Sequence, residues 1–397
     1  MKKIHFDYFS WKNVGIPDFF KFLFSGKVVK GEFLEKLNSR LINTVGKREI
    51  YLVNKGRLAL ELGLRSLGLR EGDEVIIPSY ACDAIITPIL KVRARPVFAD
   101  IDNDLNISPD SIRGVLTGKS RAVIMAHLYG LPAKIEDISG IARDNNLFLI
   151  DDAASAFLLK VNNRYLGTFG DIGIYSFAIN KTISSLERGG VLVINSEKPA
   201  IPKDISIDKS SLKSKIASIT EYLILYRYPI MWKYYIAKML HWPKKICSIE
   251  SMANIDAYFI YAQMLDFEEK QAERLRILDR FHENLKGLNQ IDIPQYKKGV
   301  YLTKLFIKTK EEKVTRDNNA KVIKHNPLKT YLQLRGIQTD YGYYPLHLKE
   351  RYNEYYRGNL HHTESLSEHL LALPIQNKYD EEVIDYICGQ IKRYYKS

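Results

Sequence analysis

At 397 residues the chain is long enough to bury one large core and a smaller lobe, and an apolar fraction of 46% is ordinary for a globular protein. A formal net charge of +13 admits nucleic acid, a membrane face or an anionic substrate as partner, but no zinc-ligand spacing and no recognition-helix motif accompanies it, which argues against nucleic acid and against a metal site. Three widely separated cysteines (Cys82, Cys247, Cys388) argue against a disulfide framework and for a reducing, cytoplasmic setting, and no 18-residue uncharged apolar run offers a membrane span.

In chain order, Met1-Lys2-Lys3 is followed by Asp7, Lys12 and Asp18, which interrupt any apolar core of a signal peptide. Residues 1–44 form an aromatic-rich amphipathic arm, with Phe19, Phe20, Phe22, Leu23, Phe24, Phe33, Leu34 and Leu37. From about 45 to 196, short apolar runs alternate with helical patterns. The runs are Val75 to Pro78, Arg95 to Phe98, Ala122 to Ala126, Phe148 to Ile150, Ile172 to Phe177 and Val191 to Ile194, with a helix over Leu58 to Leu67. Strands spaced by helices predict βαβ units and a mainly parallel sheet.

The stretch 201–249 is different. Its middle, Tyr222 to Trp242, is dense in apolar and aromatic residues, and its charges are all basic. Two helices broken at Pro229 fit it. Either it packs as an insertion over the dimer or active-site edge, which we favour, or it lies on an anionic membrane surface through Arg227, Lys233, Lys238, Lys244 and Lys245. Residues 254 to about 287 read as one long helix, with Gln263, Glu268, Glu269, Lys270, Glu273 and Arg274 on its wet side. The remainder, 288–397, has shorter elements and forms a small domain. The division is therefore an arm (1–44), a large domain (45–253) and the long helix with a small C-terminal α+β domain (254–397).

Two motifs carry chemistry. Gly170-Asp171-Ile172-Gly173-Ile174-Tyr175-Ser176-Phe177-Ala178-Ile179-Asn180-Lys181 is closed by Glu187-Arg188-Gly189-Gly190 and a second apolar run. This pattern presents a lysine amine from a loop between buried strands, with small residues that let a flat ligand approach. Such a lysine suits an imine with an aldehyde cofactor; otherwise it is a surface lysine in a turn. Phe148-Leu149-Ile150-Asp151-Asp152-Ala153-Ala154-Ser155 is a strand ending in two carboxylates. One of these can hold the ring nitrogen of pyridoxal phosphate protonated, while the other caps a helix.

Together these motifs resemble the DegT/DnrJ/EryC1/StrS family of sugar aminotransferases, within the fold-type I pyridoxal-phosphate enzymes. Gly72-Asp73-Glu74-Val75-Ile76-Ile77-Pro78-Ser79-Tyr80, His127-Leu128-Tyr129-Gly130, Gly336-Ile337 through Tyr344-Pro345-Leu346-His347, and Leu371-Ala372-Leu373-Pro374 extend the resemblance from about Val45 to the C-terminus. It implies an α/β fold with a seven-stranded, mainly parallel sheet between helices. It implies Lys181 as the imine lysine and proton shuttle, Asp152 on the pyridine nitrogen, and Ser176, Gly56 and Arg57 on the cofactor phosphate. Tyr80, Cys82 and Ser155 fall at further cofactor positions, and His127, Tyr344 and His347 at substrate positions.

The resemblance departs in three places. Cys82 stands where an aromatic ring usually stacks on the cofactor, so either Tyr80 takes that role or stacking is weaker. Ser155 replaces a longer Gln or His. Ile249 to Met252 lacks the Asn and Arg that serve the neighbouring subunit's site. The implied function is transfer of an amino group, with glutamate as donor, onto a nucleotide-linked keto sugar in surface-polysaccharide or amino-sugar biosynthesis, by a homodimer. The alternatives are a non-catalytic or membrane-docked glycan-assembly partner that kept the fold, and a sugar dehydratase, against which Lys181 argues.

Overall fold

The computed structural model describes residue 4 and residues 16–46, 48–178, 181–185, 189–197, 199–203, 205, 207–209, 249–293, 300–310 and 326–396. The aromatic and basic middle of 201–249, with its expected helices and membrane-facing lysines, lies outside the described residues, as do Glu187 and Arg188.

The arm supplies α1 (Ile16–Ser25) and α2 (Glu32–Val45). Leu37, Leu41 and Val45 recur every fourth residue and are buried, so α2 lays one apolar stripe on the core. Then follow β1 (Glu49–Val53), α3 (Gly56–Ser66), β2 (Glu74–Pro78), α4 (Ile86–Lys91), β3 (Arg95–Ala99), α5 (Pro109–Val115), β4 (Ser120–Ala126), α6 (Ile135–Asp144) and β5 (Phe148–Asp152). A small hairpin, β6 (Lys160–Val161) and β7 (Arg164–Tyr165), precedes β8 (Ile172–Ser176) and β9 (Gly190–Ile194).

Seven of these strands form one sheet, in the order β1-β9-β8-β5-β4-β2-β3. Strand β9 runs antiparallel to β1 and β8, and the remaining pairs are parallel. Apolar side chains cover both faces: Ile76, Val123, Leu149 and Val193 on one, Ile77, Ile124, Ile150 and Leu192 on the other. Burial on both faces is why these strands read as unbroken apolar runs. Strand β1 was not among the expected strands; it lies at the sheet edge and is only partly buried, so no such run marks it.

The strand directions assemble the site. The chain crosses from β3 back past β2 to reach β4, so the strand order reverses between β2 and β4, and ligands bind at the carboxyl ends beside such a switch. At that edge lie Tyr80 and Cys82 after β2, His127 after β4, Asp152 at the end of β5, Ser176 at the end of β8, and the start of α3 after β1.

The single long helix expected from 254 is two helices, α7 (Asn254–Met264) and α8 (Phe267–Leu285). Asp266 interrupts it and pairs with Lys270 one turn on, at 2.9 Å. Its expected wet side is also corrected. Glu268 and Glu269 are exposed, but Gln263, Lys270 and Arg274 are buried. Gln263 Nε2 donates to Ser184 O (2.6 Å), and Arg274 donates to Ile375 O (2.7 Å), Asn377 Oδ1 (2.9 Å) and Tyr301 OH (3.2 Å). Long polar side chains are buried here because each charge or amide finds a partner.

The C-terminal region builds a three-stranded antiparallel sheet, β10 (Ile291–Asp292), β11 (Leu305–Thr309) and β12 (Leu370–Leu373), with α9 (Pro327–Leu334), α10 (His361–His369) and α11 (Glu381–Tyr394). Its core includes Tyr80 and Tyr129 from the large sheet's loops. The end of β2 is tied to it: Leu346 N–H donates to Ser79 O (2.7 Å), and the hydroxyls of Ser79 and Thr363 meet at 2.7 Å.

Candidate active site

Asp151 and Asp152 are neighbours with different tasks, because successive strand residues point to opposite faces. Asp151 is wholly buried. Its Oδ1 lies 2.7 Å from His127 Nε2, and its Oδ2 accepts the N–H groups of Gly167 (2.8 Å) and Phe169 (2.7 Å). His127 Nδ1 accepts the Ala133 N–H at 3.0 Å, so the ring proton sits on Nε2 and is donated to Asp151. Asp152 turns to the other face. Its Oδ1 accepts the Ala154 N–H at 3.0 Å within a turn, and no helix follows for it to cap. Burial pushes its carboxyl above the usual carboxylate range, against the Ala154 bond and the charge of Lys181.

Lys181 follows β8 in the loop toward β9. Its Nζ donates to Ser155 Oγ at 2.9 Å, and Thr182 Oγ1 donates to Ser155 O at 3.2 Å. Burial pushes the amine below the ordinary lysine value, opposed by Asp152 and Cys82 and assisted by the Lys304 cation. The loop is fastened from behind by Gln263, which bonds both backbone groups of Ser184.

Gly56 and Ser176 meet although their strands are separated by β9. A Cβ placed on Gly56 would lie 2.7 Å from both Cβ and Oγ of Ser176, closer than carbon atoms pack. Only glycine lets the start of α3 rest against that hydroxyl. The N-terminus of an 11-residue helix carries amide N–H groups and a partial positive charge, a natural seat for phosphate oxygens. Arg57 is the next residue, half-buried.

Three of the expected positions, Tyr80, His127 and His347, are almost wholly buried. Tyr80 is 0% exposed, so no face of its ring is open to a cofactor. Its ring packs 5.8 Å from Tyr343 and 6.5 Å from Tyr129, in the C-terminal core. Cys82, two residues on, is exposed. His127, 1% exposed, has both ring nitrogens engaged as above and stands behind Asp152 rather than against a substrate. His347, 2% exposed, pairs its Nε2 with Glu364 Oε1 (3.0 Å) and stacks on Tyr356 (5.1 Å between ring centres). Ser155 touches the lysine amine. Tyr344 is half-buried, with its hydroxyl 3.4 Å from Leu348 O.

Tyr343 was missed by sequence reading. Its N–H is shared between the hydroxyls of Tyr80 (3.1 Å) and Tyr129 (3.2 Å), and its ring stacks on Tyr129 at 5.1 Å. Burial, and then the neighbouring Cys82, Tyr80 and Asp152, push its phenol up. The run Tyr341-Gly342-Tyr343-Tyr344 was the available signal, but spacing alone does not say which tyrosine turns inward.

Residues 15–392 match the model of the DegT/DnrJ/EryC1/StrS aminotransferase family. The chain is 29% identical over 371 residues to a GDP-perosamine synthase of Escherichia coli O157:H7, covering 92% of this chain and 91% of that protein. It is 27% identical to a UDP-N-acetyl-3-dehydro-alpha-D-glucosamine 3-aminotransferase of Acidithiobacillus ferrooxidans, over 85% of this chain and 82% of that one. Among solved structures, a putative sugar aminotransferase of Streptococcus pneumoniae in its PMP form superposes with a TM-score of 0.77 at 21% identity, over 99% of each chain. The chain belongs to the DegT/DnrJ/EryC1/StrS aminotransferase family, a family of pyridoxal-phosphate-dependent sugar aminotransferases.

Proposed function

We propose that this protein moves an amino group from an amino acid, glutamate, onto a keto sugar linked to a nucleotide. The observation that carries the reading is Lys181: a half-buried amine whose pKa is pushed down, held by Ser155 near the half-buried carboxyl of Asp152. A lysine poised this way suits both imine formation and proton transfer. The residues fit pyridoxal phosphate. The Gly56–Ser176 contact, too close for any Cβ, brings a hydroxyl against a helix N-terminus suited to a dianion. When bound, the cofactor supplies an aldehyde that exchanges with amines and a ring that accepts electrons.

The chain's own groups then divide the work. The Gly56 end of α3 and the Ser176 hydroxyl bind the phosphate, and Arg57 adds a charge there. Asp152 holds a proton on the ring nitrogen; Asp151 and His127, locked together behind it, fix its strand end. Lys181 Nζ takes the proton from the donor's α-carbon and returns one to the sugar carbon that receives the amine. Ser155 Oγ accepts from the lysine amine and orients it. We read 45–253 as the cofactor-binding domain and 254–397 as the part that closes over it.

Two relatives act on sugars carried by different nucleotides, GDP and UDP by their names, so the test must span both. Purified protein should be yellow. Glutamate with GDP- or UDP-linked 4-keto and 3-keto sugars should yield 2-oxoglutarate with at least one of them. A colourless protein that gives no 2-oxoglutarate with any would end this reading.

A further inference from the structure

Gln263, in the last turn of α7, is 5% exposed and has no part in the catalytic roles given above. Its Oε1 accepts the Ser184 N–H at 3.3 Å, and its Nε2 donates to Ser184 O at 2.6 Å and to Phe259 O at 2.7 Å. The two bonds to Ser184 take the N–H and the carbonyl of one residue, as a neighbouring strand would. The third fixes which way the amide points. Turned over, its oxygen would face two carbonyl oxygens and its NH2 an N–H group.

Ser184 is three residues from Lys181, and the stretch between them is bonded throughout. The Lys181 N–H donates to Ala178 O (2.9 Å), Thr182 Oγ1 donates to Ser155 O (3.2 Å), and the Ser185 N–H donates to Phe177 O (2.9 Å). Ile183 is 2% exposed and shares a core with Phe177, Ala257 and Ile260. Farther along, Gly189 rests on α7, where a Cβ would lie 3.3 Å from Ile260 Cδ1.

The helix behind the loop is a fixed reference. At its start Asn254 is 0% exposed. Its Nδ2 donates to Lys27 O (2.7 Å), its Oδ1 accepts the Phe33 N–H (2.9 Å), and its backbone N–H donates to Val29 O (2.9 Å). Gly31 presses on it, since a Cβ there would stand 2.4 Å from Asn254 Nδ2. One end of α7 is thus locked to the arm, and the other, through Gln263, to the loop of Lys181.

We propose that Gln263 is a positioning residue for the reaction: by holding both polar groups of Ser184 it sets where Lys181 Nζ stands. The proposal rests on the reading of Lys181 as the proton-carrying amine. A displacement of about 1 Å at a reacting group can lower a rate by about 100-fold. Gln263 acts on the lysine's own loop and not on a ligand, so its loss should appear in kcat and spare KM.

The test compares the parent with Gln263→Met, which keeps length and burial but offers Ser184 no N–H and no oxygen. Gln263→Asn, one methylene too short to reach, serves the same comparison should Gln263→Met not fold. In the cofactor-free proteins, hydrogen exchange of a peptide spanning 181–185 should be at least about tenfold faster in the variant, with the β5 peptide unchanged. In the proteins with cofactor, kcat should fall by about tenfold or more while KM stays within about threefold. Unchanged exchange in the variant, faster exchange with the parent's kcat, or a raised KM with kcat kept would each overturn the proposal. So would exchange of 181–185 in the parent as fast as in a free peptide. A parent without a visible band or turnover faults the cofactor reading and takes the catalytic role of Gln263 with it, whereas a yellow, active parent with any of those results faults Gln263 alone.

Discussion

Replacing each of the adjacent aspartates by asparagine should give two different failures. Asp151 receives three donors, His127 Nε2–H on one oxygen and the N–H groups of Gly167 and Phe169 on the other, all out of water. An asparagine offers one oxygen and one NH2. If the oxygen faces the two backbone donors, the NH2 faces His127 Nε2. The histidine cannot answer by moving its proton to Nδ1, because Nδ1 accepts from Ala133. If the amide flips, two backbone donors meet an NH2. At least one donor–donor conflict persists either way, and every remaining bond loses its charge. A charged hydrogen bond contributes about 1.5–3 kcal/mol and a stranded buried donor costs about 1–3 kcal/mol, so Asp151→Asn should destabilise by roughly 3–5 kcal/mol. Asp152 accepts one backbone N–H, which an asparagine oxygen can keep, and its burial already opposes the charge. Thermal unfolding of the cofactor-free proteins is the assay. Asp151→Asn should lower Tm by at least about 5 °C and Asp152→Asn by less than about 2 °C. Asp152→Asn should nonetheless lose turnover by about 100-fold or more, as expected when a positioned proton holder is removed. Equal Tm values for the two variants, or a larger drop for Asp152→Asn, would refute the division of labour.

Lys181→Met should abolish the visible band and turnover while keeping the fold; turnover at the parent rate would end the assignment. Because burial lowers the Lys181 pKa, the unfolded chain binds more protons there, so the cofactor-free parent should gain stability as pH rises from that depressed value toward 10.5. Lys181→Met should lack this slope, with Asp152, Cys82 and Lys304 as the charges facing the amine; an identical slope in both proteins would contradict it. Gly342→Ala forces a methyl onto the Tyr80 hydroxyl and should cost about 1–3 kcal/mol, and Tyr80→Phe should recover part of that in a double-mutant cycle read by Tm. Strictly additive effects would show that the two do not press on each other. A homodimer is expected from the arm, where Phe20 (44% exposed) and Phe24 (87% exposed) stack 6.3 Å apart on α1. Light scattering should show a dimer that Phe24→Glu weakens, and a fully active monomer at low concentration would dismiss it.

Residues alone determined a good deal. The apolar runs of the central strands are legible because a parallel sheet buries both faces, and the spacing from Asp152 through Ser176 to Lys181 singles out the proposed reaction centre because each residue ends a strand or lies in the loop that follows one. Strand β1 escaped notice because an edge strand is only half-buried, and α7 and α8 read as one helix because a two-residue interruption barely disturbs a 3.6-residue period. What the sequence could not assign were roles that depend on which way a side chain turns. Asp151 and Asp152 are the same residue type in adjacent positions, and strand alternation puts one on His127 and the other beside Lys181. Tyr80 looked like a stacking ring, but packing against Gly342 and Tyr343, more than 250 residues away, draws it into the C-terminal core. Local spacing fixes which residues lie at a strand end. Contacts between distant parts of the chain fix which of them face the ligand.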